Sequence, residues 1–215
     1  ELLNKGLENK KIVLIGNNRY EWCISYLAVT SANMIIVPLD KALPNNEIEN
    51  LIIRSEAEVT IFDKKYIEVM KKLKKDTNAN LQMLICMDNI KDNDVEKFSQ
   101  LLKKGEELLK NGDNRYEKVK VNPEKMSIML FTSGTTNVPK AVMLSQKNIC
   151  ANLSDFASWV KLYPTDTLLS FLPIHHTFEC TVTFLYGFYS GCTVAFCDGL
   201  KYIQKNLVEY KVSVF

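Results

Sequence analysis

An α/β fold, with largely parallel sheets flanked by helices, is what this sequence predicts. Three observations carry it. Short apolar runs alternate with stretches of helical periodicity, as strand–helix units do. The 215 residues are 47% apolar and 24% charged, enough to build the core of one or two domains. Eight Gly and six Pro are too few for a collagen-like or linker-dominated chain, and no solenoid-type repeat is visible.

The runs expected to form strands lie at 12–15, 34–39, 59–62, 81–87, 127–131, 167–172, 192–196 and 212–215. Between the first two, Asn18 with Glu21 three residues on marks a helix start, and Trp22, Cys23, Tyr26 and Leu27 then share a face. Ile48, Leu51 and Ile52 repeat the spacing, as do Val95, Phe98, Leu101 and Leu102. The longest stripe is Ile149, Leu153, Phe156, Ala157 and Val160. Core packing accounts for all of them. The Lys-rich stretch 64–75 is interrupted by Glu68 and flanked by Asp63 and Asp76, so it reads as a solvated helix face.

Charge is unevenly spread. Residues 126–200 hold only seven charged side chains, which predicts deeper burial for the second half than for the first. The expected division is a first α/β subdomain over 1–125 and a second region over 126–215, incomplete at its C-terminal end. A net charge of +2 gives no general basic field for nucleic acid. No stretch reaches the roughly 20 apolar residues of a membrane-spanning helix. Six cysteines without C-x-x-C spacing read as small core hydrophobes in a reducing, cytoplasmic setting. The chain starts at Glu1 and stops within the run 212–215, so a piece of a longer protein is expected.

Segment 128–146 carries the strongest chemical signal. A strand delivers the backbone into Thr132, Ser133, Gly134, Thr135, Thr136 and Asn137; Pro139 and Lys140 follow, and a strand resumes over 141–144. Clustered hydroxyls and oriented backbone N–H groups suit a polyphosphate, and Lys140 supplies a point charge for its outer phosphates. Gly134 permits close backbone approach and positive φ, which Asn137 also tolerates. A Walker A loop is excluded, since that motif places Gly-Lys-Ser/Thr at the start of a helix. A plain surface turn explains Gly and Asn, and explains less well four clustered hydroxyls leading to Pro-Lys.

A second constellation, Leu172-Pro-Ile-His-His-Thr-Phe-Glu179, holds both histidines of the chain. The pair alone is compatible with a structural, a metal-binding or an acid–base role. Glu179 and Cys180 nearby match no usual zinc spacing.

Both segments resemble signatures of the adenylate-forming superfamily, which includes acyl-CoA synthetases, luciferases and peptide-synthetase adenylation domains. The first is similar to its Thr-Ser-Gly-Thr-Thr-Gly-x-Pro-Lys-Gly loop, with Asn137 and Ala141 where that family usually has Gly. The second is similar to the Leu-Pro-x-x-His-x-Phe-Glu form of fatty-acyl-CoA synthetases. Gly16-Asn-Asn-Arg-Tyr-Glu-Trp22 and Val37-Pro-Leu-Asp40 resemble the family's early region. The resemblance implies part of a large N-terminal domain, closest to a long-chain fatty-acid–CoA ligase, with ATP, Mg, CoA and a fatty acid or other carboxylate as cofactors and partners. It implies that Thr132, Ser133, Gly134, Thr135, Thr136, Asn137 and Lys140 bind nucleotide and that Thr132 approaches magnesium. It also implies that Lys140 and His176, rather than His175, serve catalysis. A cytoplasmic protein, open to peripheral membrane association, fits this reading. The segments that complete the site in the family are missing, so the chain alone is expected to be inactive and to self-associate. The alternative is a non-catalytic nucleotide-binding or regulatory module of the same fold.

Overall fold

The computed structural model describes residues 1–132 and 139–215. They form two compact units: 1–16 with 21–146, and 17–20 with 147–215.

The first unit is built on a seven-stranded sheet: β1 (Lys11–Ile15), β2 (Ile35–Pro38), β3 (Val59–Phe62), β4 (Met83–Cys86), β5 (Glu96–Lys97), β6 (Met126–Thr132) and β7 (Lys140–Ser145). Their spatial order is β5-β4-β3-β1-β2-β6-β7. All neighbouring pairs are parallel except β6–β7, which is an antiparallel hairpin. β1 to β4 are nearly continuous apolar runs, as strands covered on both faces must be. The crossovers carry α1 (Tyr20–Thr30), α2 (Asn45–Ser55), α3 (Ile67–Lys74) and α4 (Phe98–Lys110). Ile12, Leu14, Ile36, Ile61 and Phe62 are buried in the sheet, and Trp22, Ile48, Ile52, Met70 and Leu73 in the helices. On α1, Trp22 stacks on Tyr26 with ring centroids 5.4 Å apart. The lysine-rich stretch faces water as expected, with Lys71 paired to Asp92 and Asp94 and Lys72 to Glu49. Leu102 of the expected α4 stripe is exposed, and Val95 is buried ahead of the helix.

The second unit contains α5 (Gln146–Trp159), which enters it at Lys147, and the parallel pair β8 (Thr167–Ser170) and β9 (Thr193–Phe196). A π-helix (Glu179–Tyr186), the short α6 (Gly187–Tyr189) and α7 (Ile203–Glu209) complete it. Leu168, Leu169, Ile174, Phe184 and Tyr186 form its buried centre, and Phe156 of α5 packs edge-on against Tyr186 at 5.1 Å.

Four expectations are corrected. The charge-poor second half is not the more deeply buried: no residue of α5 is fully buried, and Trp159 is 87% exposed. A shortage of charge does not bury side chains where few layers cover them. The run 212–215 makes a single parallel bridge, Val214 to Leu168, while Phe215 stacks on Phe171. Only Cys86 and Cys180 are buried; Cys150 is exposed and the other three cysteines are half-buried. Asn18 does not cap α1, because its carboxamide is committed to residues 170–174.

Candidate active site

Thr132 and Lys140 end one strand and begin the next, and the hairpin register sets them directly opposite each other. Chain geometry explains the pairing: β6 carries the buried Ile128 and Met129 into the sheet, then leaves it with an exposed Thr132. β7 returns along the sheet edge with Lys140 to Met143 exposed. The mouth of the 133–139 connection is thus framed by a hydroxyl and an ammonium, both open to solvent. Ser133, Gly134, Thr135, Thr136 and Asn137 lie outside the described residues.

The second constellation is organised within its own unit. β8 ends at Ser170, and the turn that follows brings the His176 N–H to the Pro173 carbonyl at 2.9 Å. The Cys180 N–H then bonds the His176 carbonyl at 2.9 Å, which starts the helical ladder. The Phe178 N–H donates to His176 Nδ1 at 3.3 Å. His176 is exposed, and Nδ1 is the ring nitrogen engaged by this bond. His175 is half-buried.

Behind this turn lies Glu179, 1% exposed at the first position of the π-helix. Its Oε1 accepts the Ser170 hydroxyl at 2.6 Å, and its Oε2 accepts the Thr183 hydroxyl at 3.0 Å. Burial pushes its carboxyl above the usual range, and the two hydroxyl bonds partly oppose that. Asn18 Nδ2 donates to Ser170 Oγ at 2.8 Å and to the Leu172 carbonyl at 2.7 Å. Its Oδ1 accepts the Ile174 N–H at 3.2 Å. Sequence reading assigned no site role to Asn18, Ser170 or Thr183. The one available signal was the Asn after β1, since loops at the carboxyl ends of parallel strands are where α/β folds place their sites.

A cavity of about 450 Å³ lies elsewhere in the first unit, under α1 and α4 with Met34, Ile61 and Ile85 in its lining. It is almost wholly apolar and includes neither Thr132 nor Lys140. No group of three or more His, Cys, Asp or Glu gathers as a metal cage among the described residues. Among these residues, no helix is long and apolar enough to cross a membrane.

A mostly parallel α/β sheet closed by the antiparallel β6–β7 hairpin places the chain in the α/β class. Within that class the chain belongs to the AMP-binding enzyme family, whose sequence profile matches residues 1–215. It is similar to long-chain-fatty-acid–CoA ligase 5 of Rattus norvegicus, at 32% identity over all of this chain and 33% of that protein. Long-chain-fatty-acid–CoA ligase 1 of Homo sapiens is 30% identical over 96% of this chain and 32% of its own length. The chain therefore spans about a third of these relatives. In fold it resembles a long-chain-fatty-acid-CoA ligase of Archaeoglobus fulgidus, with a TM-score of 0.82 and 22% identity over 99% of this chain and 40% of that one. A red-emitting luciferase of Phrixothrix hirtus also gives 0.82, at 20% identity over 98% and 41% of the two chains.

Proposed function

We propose that this chain is part of an AMP-forming acyl-CoA synthetase acting on long-chain fatty acids. In that reaction a carboxylate oxygen attacks the α-phosphorus of ATP, giving acyl-adenylate and pyrophosphate. The CoA thiol then attacks the acyl carbonyl, forming the thioester and releasing AMP. The observation that carries the reading is the Thr132–Lys140 pair at the mouth of the hairpin, in a family of AMP-binding enzymes.

Negative charge builds on the departing pyrophosphate, and the Lys140 ammonium would stabilise it. Ser133 to Asn137 would hold the phosphates with hydroxyl and backbone donors. Magnesium takes oxygen ligands and is commonly held by substrate phosphates with few protein groups, so the Thr132 hydroxyl is a fitting ligand. When bound, the ion neutralises phosphate charge. His176, whose Nδ1 is engaged by the Phe178 N–H, would donate from Nε2 to an oxygen of the acyl carboxylate or of the α-phosphate. This orients the nucleophile and stabilises the mixed anhydride as it forms. A cytoplasmic or membrane-peripheral location fits a fatty-acid substrate.

The test is product analysis on the full-length protein with Mg·ATP, a series of fatty acids and CoA. AMP, pyrophosphate and acyl-CoA are expected, with acyl-adenylate accumulating when CoA is withheld. ADP as product would replace the reading with phosphoryl transfer. Binding of ATP without turnover would make the protein a nucleotide-binding module.

A further inference from the structure

We propose that Asn18 is a positioning residue for the His176 loop, acting with Ser170 and Glu179 as one hydrogen-bonded brace; this rests on the role given to His176 above. Asn18 lies 152 residues before Ser170 in the chain, yet residues 17–20 belong to the same compact unit as β8 and the loop. Its one carboxamide makes three bonds, and they fall on three successive alternate residues. Nδ2 holds the hydroxyl of Ser170 at the end of β8 and the carbonyl of Leu172; Oδ1 holds the N–H of Ile174. The two backbone groups flank Pro173, whose carbonyl takes the His176 N–H. Asn18 therefore fixes the turn from which the histidine departs.

The other side of the brace is buried. Ser170 passes the constraint on, accepting from Asn18 and donating to Glu179, and Glu179 also accepts from Thr183 one helical turn later. The loop is thus pinned at its strand end by Ser170, at its turn by Asn18 and at its helix end by Glu179. Only an amide suits the Asn18 position. Two acceptors and one donor converge there, and an isosteric carboxylate can satisfy the donor but neither acceptor. It would also set its oxygens against the Leu172 carbonyl.

The experiment compares full-length wild type with Asn18→Ala, Asn18→Asp and Ser170→Ala. Acyl-adenylate formation is followed together with hydrogen exchange of peptides covering 171–178. The expected result is a fall in kcat on the order of 10- to 100-fold for both Asn18 variants, since small misplacements of reacting groups cost that much. KM for ATP should stay near wild type. Exchange over 171–178 should quicken while β1 and β3 keep their protection. Ser170→Ala should lose roughly 2- to 10-fold, one hydrogen bond's worth, and it carries the test if the Asn18 variants unfold. An Asn18→Asp enzyme with wild-type kcat would overturn the proposal, because space-filling alone would then suffice. So would unchanged exchange over 171–178. If wild type forms no acyl-adenylate, the functional reading fails, and exchange alone decides whether Asn18 braces the loop.

Discussion

The two compact units bury apolar side chains to different depths. In the first, a seven-stranded sheet with crossover helices leaves Ile12, Ile36, Trp22 and Phe62 without solvent exposure. In the second, a two-stranded parallel sheet supports a smaller centre, and Trp159, Tyr189, Val208 and Phe215 stay largely exposed. Yet the second unit is drawn from the charge-poor part of the sequence. Burial is set by the number of layers that cover a side chain, and composition only states the demand for cover. The same contrast appears in the carboxylates. Asp113, in the first unit, is held at about 2 by the hydrogen-bonded Arg115 guanidinium, whereas burial pushes Glu179 in the second unit upward.

The sharpest way to break this comparison is a pair of truncations. Phe62→Ala should destabilise the fold by about 3–5 kcal/mol, the cost of emptying a packed aromatic site, while Trp159→Ala should stay within about 0.5 kcal/mol. Denaturant midpoints of the two variants measure both. Similar losses at the two sites would mean that the second unit has a core as closed as the first.

At the functional groups the expected effect is smaller. Lys140→Ala should cost about 1.5–3 kcal/mol of adenylation barrier in the full-length protein, the range for a lost charge-assisted bond. His176→Ala should impair acyl-adenylate formation more than His175→Ala. Pyrophosphate release at limiting ATP reads the first, and a larger defect at 175 would misplace the histidine.

Exposed apolar surface on the second unit should drive association of the 215-residue chain. Sedimentation is expected to show dimers or larger species, reduced when Trp159 and Val208 are both replaced by Ser. A monomer at all concentrations would mean those side chains are tolerated singly.

The pH effects are the smallest, and their signs differ. Glu179 binds its proton more tightly when folded than its ordinary 4.5 implies. Its contribution to stability is therefore full below that value and is lost as pH rises through the folded pKa. Glu179→Gln should flatten that loss above pH 4.5, read from unfolding midpoints against pH. Asp113 behaves in reverse: its contribution is present above 3.8 and is lost as pH falls towards 2. Asp113→Asn should remove that acid limb, and salt should shrink the wild-type effect because the pair is solvent-screened.

Much of the fold was legible locally. The runs at 12–15, 59–62 and 192–196 became strands because β-branched and aromatic residues in short apolar stretches leave little else for the backbone to do. Ile48, Leu51 and Ile52 point into the core as their spacing requires. The candidate nucleotide segment and His176 could be named because their signals lie within a few consecutive residues. By itself, then, the sequence determined the α/β alternation, the strand–loop–strand around Thr132 and Lys140, and the solvated face of α3. Only the tertiary structure decided that β6 pairs with β2, that the run 212–215 contributes one bridge, and that Asn18 braces a turn more than 150 residues away. A hydrogen bond between distant residues leaves no periodicity in the sequence. An Asn after a strand looks the same whether it caps the next helix or reaches across to another loop, and only the folded chain determines which partners come within 3 Å.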